Sequence, residues 1–310
     1  MLVSVIIPAF NATLSIKRTL DSIHAEELPG NLLVEVIVVD DGSHDKEELK
    51  IIVDEYKNTR LVSHITNRGM CASRNTGIDA SKGDLVTILD ADDEFVKDWP
   101  SVIKEIVSNK PNNIKLCYAA CVNQSGTITA DNPEFSGLLT LDDILNERNS
   151  GEYIPIFDGE YVRKNPYIDI GTRKSCGVIS YINFSLDEPI WVFNKILRIY
   201  NDSVVGSVSH NWTSQDKALE TSRCYMELFN KYGELYKKRA PNAYKRKRLK
   251  LAIYMKLAGI GNYLNMCNSG LSMSTLKQYI IILPLLMMPR SFVQKLLSYS
   301  KYFGLIRKYG

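Results

Sequence analysis

The sequence predicts an α/β domain on a mainly parallel sheet flanked by helices, followed by a helical and basic C-terminal segment. The chain has 310 residues, of which 45% are hydrophobic and 24% are charged. These values suit a globular protein and exclude a disordered or collagen-like chain. In the first third of the chain, short apolar runs alternate with helical periodicity. That alternation is typical of β-α-β units, which build parallel sheets.

Four apolar runs in this region predict the strands. They are rich in Leu and β-branched residues and lack polar alternation, which indicates strands buried on both faces. The runs are Val3–Ile7, Val34–Val39, Leu61–Ile65 and Leu85–Leu89. No basic region precedes the first run, so it predicts a strand rather than a signal peptide. The six cysteines are scattered without a CxxC pair, which favours reduced thiols, so we expect a cytoplasmic protein.

Helical segments separate these strands. One helix is expected after the first strand, with Asn11 or Thr13 as its N-cap. A second is expected after Asp45, which together with Glu48 fits the pattern of a cap followed by an acidic first turn. The spacing predicts a third helix over 70–81.

The middle of the chain is less regular. It predicts a helix at Val102–Val107, a strand at Ile114–Cys121 and a short helix at Leu138–Leu145. From residue 216 the pattern becomes helical again, with a break expected at Pro241. We therefore divide the chain into residues 1–95, 96–215 and 216–310.

Charge is distributed unevenly along the chain. Residues 235–310 contain 15 Lys or Arg and no Asp or Glu. Because the whole chain carries a formal charge of +3, the first 234 residues together carry −12. A one-sided basic segment favours an anionic partner. No apolar run reaches the ~18 residues that a membrane-spanning helix needs.

Polar motifs follow the predicted strands, where ligands bind in open α/β sheets. The motifs are Pro8-Ala9-Phe10-Asn11, Asp40-Asp41-Gly42-Ser43, Asn67-Arg68-Gly69 with Ala72-Ser73-Arg74-Asn75-Thr76-Gly77, and Asp90-Ala91-Asp92-Asp93. A carboxylate after the second strand can accept hydrogen bonds from a base or a ribose, and Gly42 permits a tight turn.

The acidic segment after the fourth strand carries the strongest signal. Asp90 and Asp92 point to the same side of an extended chain, and Asp93 adds a third carboxylate nearby. Three such groups at the end of a buried strand repel one another unless a cation neutralises them. Their hard oxygen atoms favour Mn²⁺ or Mg²⁺. From these residues alone, an Asp-rich surface turn remains the alternative.

In residue identity, order and spacing, the four motifs resemble those of glycosyltransferase family 2, inverting enzymes of the GT-A fold. The resemblance covers the first third of the chain and implies that residues 1–95 bind a nucleotide-sugar, while residues 96–215 bind the acceptor. The donor-binding residues it implies are Pro8, Phe10, Asn11, Asp40, Arg68, Arg74, Asp90 and Ala91. It further implies that Asp92 holds the metal on the diphosphate. His210 lies where some related enzymes place a third metal ligand or a diphosphate contact, and a structural or solvated His is the alternative.

The sequence departs from the family at the catalytic base. Small family members usually carry a Glu-Asp pair upstream of a segment like Ile196–Tyr200, whereas the corresponding residues 175–180 contain no acid. We expect Asp187 or Asp169 to serve as the general base. Asp187 also fits a helix-ending turn before Pro189.

The resemblance implies a metal-dependent inverting transferase. It would move a sugar from a nucleotide-sugar, a UDP-sugar in our interpretation, to a lipid-linked saccharide in the synthesis of a surface polysaccharide such as O-antigen, lipopolysaccharide or capsule. The missing acids leave a catalytically silent sugar-nucleotide-binding module as an alternative. A nucleotidyltransferase ranks third, because no Gly/Lys-rich phosphate loop follows the first strand.

The basic C-terminal segment has two interpretations, a solvated helical face or a membrane-surface anchor. The second combines an apolar patch at Tyr279–Met288 with basic and aromatic residues. These residues are Arg290, Lys295, Tyr299, Lys301, Tyr302, Phe303, Arg307 and Lys308. We expect peripheral attachment to an anionic membrane at the inner face of the plasma membrane. No recognisable nucleic-acid-binding module is present, so no nucleic acid partner is expected.

Overall fold

The computed structural model describes residues 1–173, 176–201, 212–268 and 273–300. The chain divides into two compact units, Met1–Val204 and Val205–Gly310. The first contains the sheet and its flanking helices. The second contains helices in its described residues.

The described strands of the first unit belong to one mixed sheet. In chain order they are β1 (Leu2–Ala9), β2 (Leu33–Asp40), β3 (Thr59–Ser63), β4 (Leu85–Ile88), β5 (Glu94–Phe95), β6 (Leu116–Asn123), β7 (Gly137–Leu139), β8 (Tyr153–Asp158) and β9 (Ile190–Tyr200). Their order across the sheet is β3-β2-β1-β4-β8-β6-β9-β5, and β7 pairs with β9.

Most of these strands run in one direction. β1 is parallel to β2 and β4, and β2 is parallel to β3. β8 runs antiparallel to both β4 and β6, so β6 and its parallel neighbour β9 point the same way as β1. The strands β1, β2, β3, β4, β6 and β9 therefore end on the same side of the sheet, which we call the carboxyl edge. The predicted mainly parallel α/β sheet is confirmed.

Helices cover both faces of this sheet. They are α1 (Thr13–His24), α2 (Lys46–Asp54), α3 (Met70–Ala80), α4 (Trp99–Asn109), α5 (Leu141–Leu145), α6 (Gly159–Lys164) and α7 (Gly177–Phe184). Side chains of α1, α2 and α4 pack on one face together with Val3, Val5 and Ile7 of β1. Side chains of α3, α6 and α7 pack on the other face with Ile6. Alternate residues of one strand thus enter two cores, as a strand buried on both faces requires.

The α3 helix packs closely on β1 because of a glycine. A Cβ at Gly77 would lie 2.3 Å from the Ile6 Cγ2 atom. Any larger residue would push the helix away from the sheet. The glycine therefore fixes the distance between β1 and the helix that carries Arg74.

The start of α1 differs from its prediction. Its N-cap is Ala12, and neither Asn11 nor Thr13 caps it through a side chain. Asp45 instead reaches across from the start of α2, and its Oδ2 atom accepts hydrogen bonds from the Thr13 hydroxyl at 2.7 Å and the Thr13 backbone N–H at 3.4 Å. Asp45 was expected to cap α2 and makes no side-chain cap there. The acid therefore links the first turns of two helices.

In the middle of the chain, helix α4 and strand β6 confirm the elements expected there. The segment Leu138–Leu145 was expected to be one helix and is wrong in part, because it divides into the end of β7 and the short α5. Thr140 separates the two, and its side chain forms a capping box with Asp143. That local hydrogen bonding favours a helix start at this point over a continuous helix.

The described part of the second unit is helical, as predicted. Its elements are α8 (Gln215–Arg239), α9 (Pro241–Ala258), a 3₁₀ helix (Tyr263–Cys267), α10 (Met273–Met287) and α11 (Arg290–Ser300). The predicted break is confirmed, because Pro241 begins a new helix. Among the described residues, no helix is both long enough and apolar enough to cross a membrane.

Candidate active site

The four polar motifs of the sequence meet at the carboxyl edge. The first two are joined by backbone and side-chain hydrogen bonds between the ends of β1 and β2. The Asp41 backbone N–H donates to the Ala9 carbonyl at 2.8 Å, and the Asn11 N–H donates to the Ser43 hydroxyl at 2.8 Å. The Asn11 side-chain oxygen accepts from the His44 N–H at 3.0 Å. These hydrogen bonds hold the segments that follow β1 and β2 together, and we call this region the β1–β2 corner.

Aromatic surface is exposed at this corner. The Phe10 side chain is 46% exposed, and its ring centroid lies 6.5 Å from that of His44 in a tilted arrangement. Pro8 lies half-buried at the end of β1, whereas Asn11 is exposed with φ +51°. An exposed ring beside fixed polar groups suits a flat ligand such as a nucleobase.

Two adjacent carboxylates at the end of β2 have different surroundings. The Asp40 Oδ1 atom accepts from the Ser43 N–H at 2.8 Å. The Asp40 Oδ2 atom is buried and has no hydrogen-bond partner among the described residues. Because a buried polar atom without a partner is costly, this oxygen is a ready acceptor for a ligand N–H or O–H.

Asp41 instead bonds within the protein. Its carboxylate accepts from the backbone N–H groups of Arg68 at 2.9 Å and Gly69 at 2.8 Å, and it contacts the His64 Nδ1 atom at 2.7 Å. The loop before α3 is therefore held against the end of β2. The exposed Arg68 side chain is carried by this loop.

His64 is a functional-site neighbour that the sequence analysis did not identify. It is buried, and its Nε2 atom lies 2.8 Å from the Thr76 hydroxyl while Nδ1 contacts Asp41. A single His in the sequence gives no signal of such a role, because both partners are distant in sequence. We assign His64 to positioning the loop.

Replacing Asp41 by Ala is expected to destabilise the protein by about 2–3 kcal/mol, because two backbone N–H groups and His64 lose a charged acceptor. Urea unfolding followed by circular dichroism measures the change. The matched control is Asp54→Ala, which removes an exposed acid at the end of α2. Equal unfolding midpoints for the two variants would contradict the role of Asp41.

The three acids after β4 are compensated unequally. The Asp90 carboxylate lies 3.6 Å from the Arg74 guanidinium and 3.6 Å from that of Arg198. Asp93 is buried, lies 3.3 Å from Arg198 and accepts from the Asn201 backbone N–H at 2.8 Å. These contacts supply positive charge to two of the three acids.

Asp92 is the exception. It makes no ion pair with any described residue, and its backbone carbonyl accepts a hydrogen bond from the Arg18 guanidinium at 2.8 Å. Burial, reinforced by the neighbouring Asp90, raises the pKa of Asp92. Its negative charge is therefore unfavourable until a cation approaches.

Arg198 on β9 is the second residue that the sequence analysis did not assign. Its side chain is only 5% exposed and contacts four groups, namely Asp90, Asp93, Glu152 at 3.3 Å and the Cys121 Sγ atom at 3.2 Å. Burial raises the pKa of Asp93 to about 7 even though Arg198 opposes the shift. The buried Arg198 guanidinium therefore stabilises the acidic segment through its ion pairs with Asp90 and Asp93.

The residues fit a divalent cation at Asp92. Among the described residues, no three His, Cys, Asp or Glu side chains come together as a metal cluster. A site with few protein carboxylates is typical of Mg²⁺ or Mn²⁺ that also binds phosphate oxygens of a ligand. The expectation that all three acids serve the cation is corrected, because Asp93 bonds to Arg198 and Asn201. His210 lies outside the described residues.

The two predicted bases lie in different places. Asp187 precedes β9, whose beginning lies at the side of the sheet opposite to the carboxyl edge. Its neighbour Glu188 accepts from Asn113, which precedes β6 at that same opposite side. The assignment of Asp187 as base is therefore corrected, because the sheet separates it from the acidic segment.

Asp169 lies on the loop that covers the start of α3. Two hydrogen bonds of 2.8 Å join Tyr167 to Asn75 of α3, and the Arg74 guanidinium lies 5.3 Å from the Tyr167 ring centroid. A Cβ at Gly69 would lie 2.2 Å from the Thr172 carbonyl oxygen, so the loop packs closely against the Asn67-Arg68-Gly69 motif. The exposed Asp169 carboxylate thus belongs to the carboxyl edge.

Glu152 is another exposed acid at this edge. It directly precedes β8, whose antiparallel direction brings its first residue to the carboxyl edge. Its side chain is 59% exposed and pairs with Arg198. No motif in the sequence marks it, because its position depends on strand pairing alone.

Similar proteins identify the family of the chain. The family model described as Glycosyl transferase family 2 matches residues 4–168, more than half of the chain. A GalNAc(5)-diNAcBac-PP-undecaprenol beta-1,3-glucosyltransferase of Campylobacter jejuni is 25% identical over 319 residues, which cover 94% of this chain and 96% of that protein.

Other relatives match over shorter stretches. The amylovoran biosynthesis glycosyltransferase AmsB of Erwinia amylovora is 41% identical over 99 residues, covering 31% of this chain and 32% of the relative. An uncharacterized glycosyltransferase of Haemophilus influenzae is 35% identical over 99 residues, covering 31% and 38%. These two matches span only about a third of the relatives' own length.

Solved structures share the fold. S. aureus TarS 1-349 in complex with UDP-GlcNAc has a TM-score of 0.57 and 18% identity over 90% of this chain and 79% of that chain. The mannosyltransferase PcManGT of Pyrobaculum calidifontis, in complex with GDP-Man and Mn²⁺, has a TM-score of 0.55 and 16% identity over 96% and 84%. At these identities the likeness is one of fold.

Proposed function

The chain belongs to glycosyltransferase family 2, and from that premise we propose that it transfers a sugar from a UDP-sugar to a lipid-linked saccharide with inversion. The observation that carries the proposal is the acidic segment, in which Asp90 and Asp93 form ion pairs while Asp92 forms none with a described residue. A UDP-sugar as donor is supported by TarS, whose structure contains UDP-GlcNAc.

The donor would lie along the carboxyl edge. Phe10 supplies an aromatic surface for the base, and the buried Asp40 Oδ2 atom accepts from the base or the ribose. Arg68, exposed on the loop that Asp41 holds, would bind the diphosphate. Arg74 keeps Asp90 in position toward the ribose or the sugar.

Asp92 would hold Mn²⁺ or Mg²⁺ together with oxygens of the diphosphate. PcManGT, which has the same fold, binds Mn²⁺ with its donor. Such an ion would neutralise the negative charge that develops on the leaving nucleotide diphosphate. Ala91, which lies between the two acids in the sequence, is buried in the hydrophobic core.

The acceptor hydroxyl requires a base on the side away from the diphosphate. We propose Asp169, whose loop is fixed to α3 at the carboxyl edge. Glu152 is the second candidate at this edge, and its partner Arg198 holds it toward the acidic segment.

Asp169→Asn is expected to lower transfer about a hundredfold, in line with loss of a general base. Release of UDP from UDP-sugars with an undecaprenol-linked acceptor and Mn²⁺ measures it, and binding of UDP by calorimetry should stay unchanged. Glu152→Gln, the matched variant, is expected to retain most of the activity. The reverse ranking of the two variants would transfer the role to Glu152.

A lipid-linked acceptor would bring the enzyme to the inner face of the plasma membrane. The Campylobacter relative is named for an undecaprenol-linked substrate, and the relative from Erwinia for the synthesis of amylovoran. These names support a role in the synthesis of a surface polysaccharide. The basic C-terminal segment, with no acid after Glu234, would favour association with anionic lipid there.

A catalytically silent sugar-nucleotide-binding module is the second candidate. The first turn of α7 contains no acid, although family members usually carry the base near this point. The same assay separates the two functions. Binding of UDP without turnover of any donor in the parent protein would favour the silent module, and measured turnover would exclude it.

A further inference from the structure

Helix α10 carries two apolar faces. One face, formed by Tyr279, Ile282, Leu285 and Leu286, is buried in the helical unit. These side chains share cores with residues of α9, among them Leu249. Much of the predicted apolar patch at Tyr279–Met288 therefore serves the interior of the unit.

The other face is exposed. Leu276, Ile280, Leu283 and Met287, which we call the apolar stripe, are 38%, 64%, 39% and 77% exposed. At about 100° per residue, their spacing confines the four side chains to an arc of about 60°. Apolar side chains aligned over three turns of a water-facing helix indicate an interaction surface, unlike single exposed apolar residues.

Helix α11 repeats this arrangement on a smaller scale. Phe292 and Leu296 are one turn apart and are 51% and 42% exposed, while Val293 and Leu297 are buried. Lys295 is exposed beside them. Two consecutive helices thus pack one face inside the unit and present apolar side chains outward.

The charge of the C-terminal segment favours an anionic partner. Residues 235–310, which include the apolar stripe, carry 15 basic residues and no acid. A helix with this combination lies in the headgroup region of an anionic bilayer, with its apolar side among the acyl chains. Each Lys or Arg near such a surface strengthens the attraction.

We propose that α10 lies in the surface of an anionic lipid bilayer, with the apolar stripe inserted among the acyl chains. The inference deepens the proposed function, on which it rests, because a lipid-linked acceptor is reached from that surface. It assigns membrane binding to four side chains that face outward rather than to basic charge alone.

The test is flotation of the full chain with vesicles of phosphatidylcholine alone and of phosphatidylcholine with about a quarter phosphatidylglycerol. The parent is expected to float with the anionic vesicles. The double variant Ile280→Gln with Met287→Gln should lower the bound fraction at least about tenfold, because it removes the two most exposed residues of the stripe. Leu14→Gln with Ile51→Gln, which changes exposed apolar residues of α1 and α2, should float like the parent.

Equal flotation of the two double variants would overturn the proposal, as would a parent that binds neither type of vesicle. A parent that is dimeric by light scattering and a stripe variant that is monomeric would show that a second copy covers the stripe, which also overturns it. Binding of UDP with Mn²⁺ is measured on the same samples. It should be equal in all three proteins, so failure of membrane binding and failure of the proposed function are distinguishable.

Discussion

Replacing Asp92 by Asn is expected to lower the rate of sugar transfer by about a thousandfold, equivalent to about 4 kcal/mol of activation free energy. Asp92 is the acid of its segment that forms no ion pair with a described residue, whereas Asp90 and Asp93 do. Asn preserves the size of the side chain and removes the charge that a divalent cation needs. Initial rates of UDP release, measured over a range of Mn²⁺ concentrations, give the size of the effect.

The same variant should fold at least as well as the parent when metal is absent. Burial and Asp90 raise the pKa of Asp92, so removal of its charge relieves a repulsion in the folded state. The matched control is Asp79→Asn on the exposed side of α3, which should keep parental rates. Parental transfer by the Asp92 variant would remove the proposed metal site.

Replacing Arg198 by Met is expected to lower the free energy of unfolding by about 3–5 kcal/mol, because it leaves the carboxylates of Asp90 and Asp93 without their shared buried cation. Glu152 and Cys121 also lose their contacts with the guanidinium. Urea unfolding at neutral pH measures the loss. Lys195→Met, on the same strand and in an exposed pair with Glu105, should have little effect.

The loss in free energy of unfolding caused by Arg198→Met should increase with pH. The pKa of Asp93 is raised to about 7 in the folded protein, above its ordinary value of 3.8, so folding favours protonated Asp93 and stability declines as pH rises through this range. Without Arg198 the pKa of Asp93 rises further, and ionisation costs more. The difference between variant and parent, measured without metal, should therefore be larger at about pH 8 than at about pH 5. A difference independent of pH would contradict the pairing of Asp93 with Arg198.

The sheet was predictable because the sequences of its long strands reflect burial on both faces. Val3–Ile7 and Val34–Val39 lack polar alternation since both faces of the sheet are covered, and β1 and β2 lie where those runs predict. The short strands β5 and β7 left no such signal. They are edge segments of two and three residues that pair with β9, and pairing at long range has no local sequence pattern.

The edge of the sheet at which the polar motifs lie was predictable for a related reason. The motifs follow parallel strands that end on one side, so Asp40 and Asp92 both lie at the carboxyl edge. Arg198 and Glu152 could not be assigned, because they reach the acidic segment only through the pairing of β9 and β8. Asp187 was misassigned because distance along the sequence does not reveal which side of the sheet a turn occupies.

The two acids at the end of β2 have separate tasks in the proposed site. The Asp41 carboxylate accepts hydrogen bonds from the loop before α3. The buried Oδ2 atom of Asp40 has no hydrogen-bond partner among the described residues. If Asp40 contacts the nucleotide as proposed, a change of residue 40 should alter which base is accepted and leave the loop that carries Arg68 attached to Asp41. A screen for altered donor preference gains most from diversity at residue 40 with residue 41 held constant.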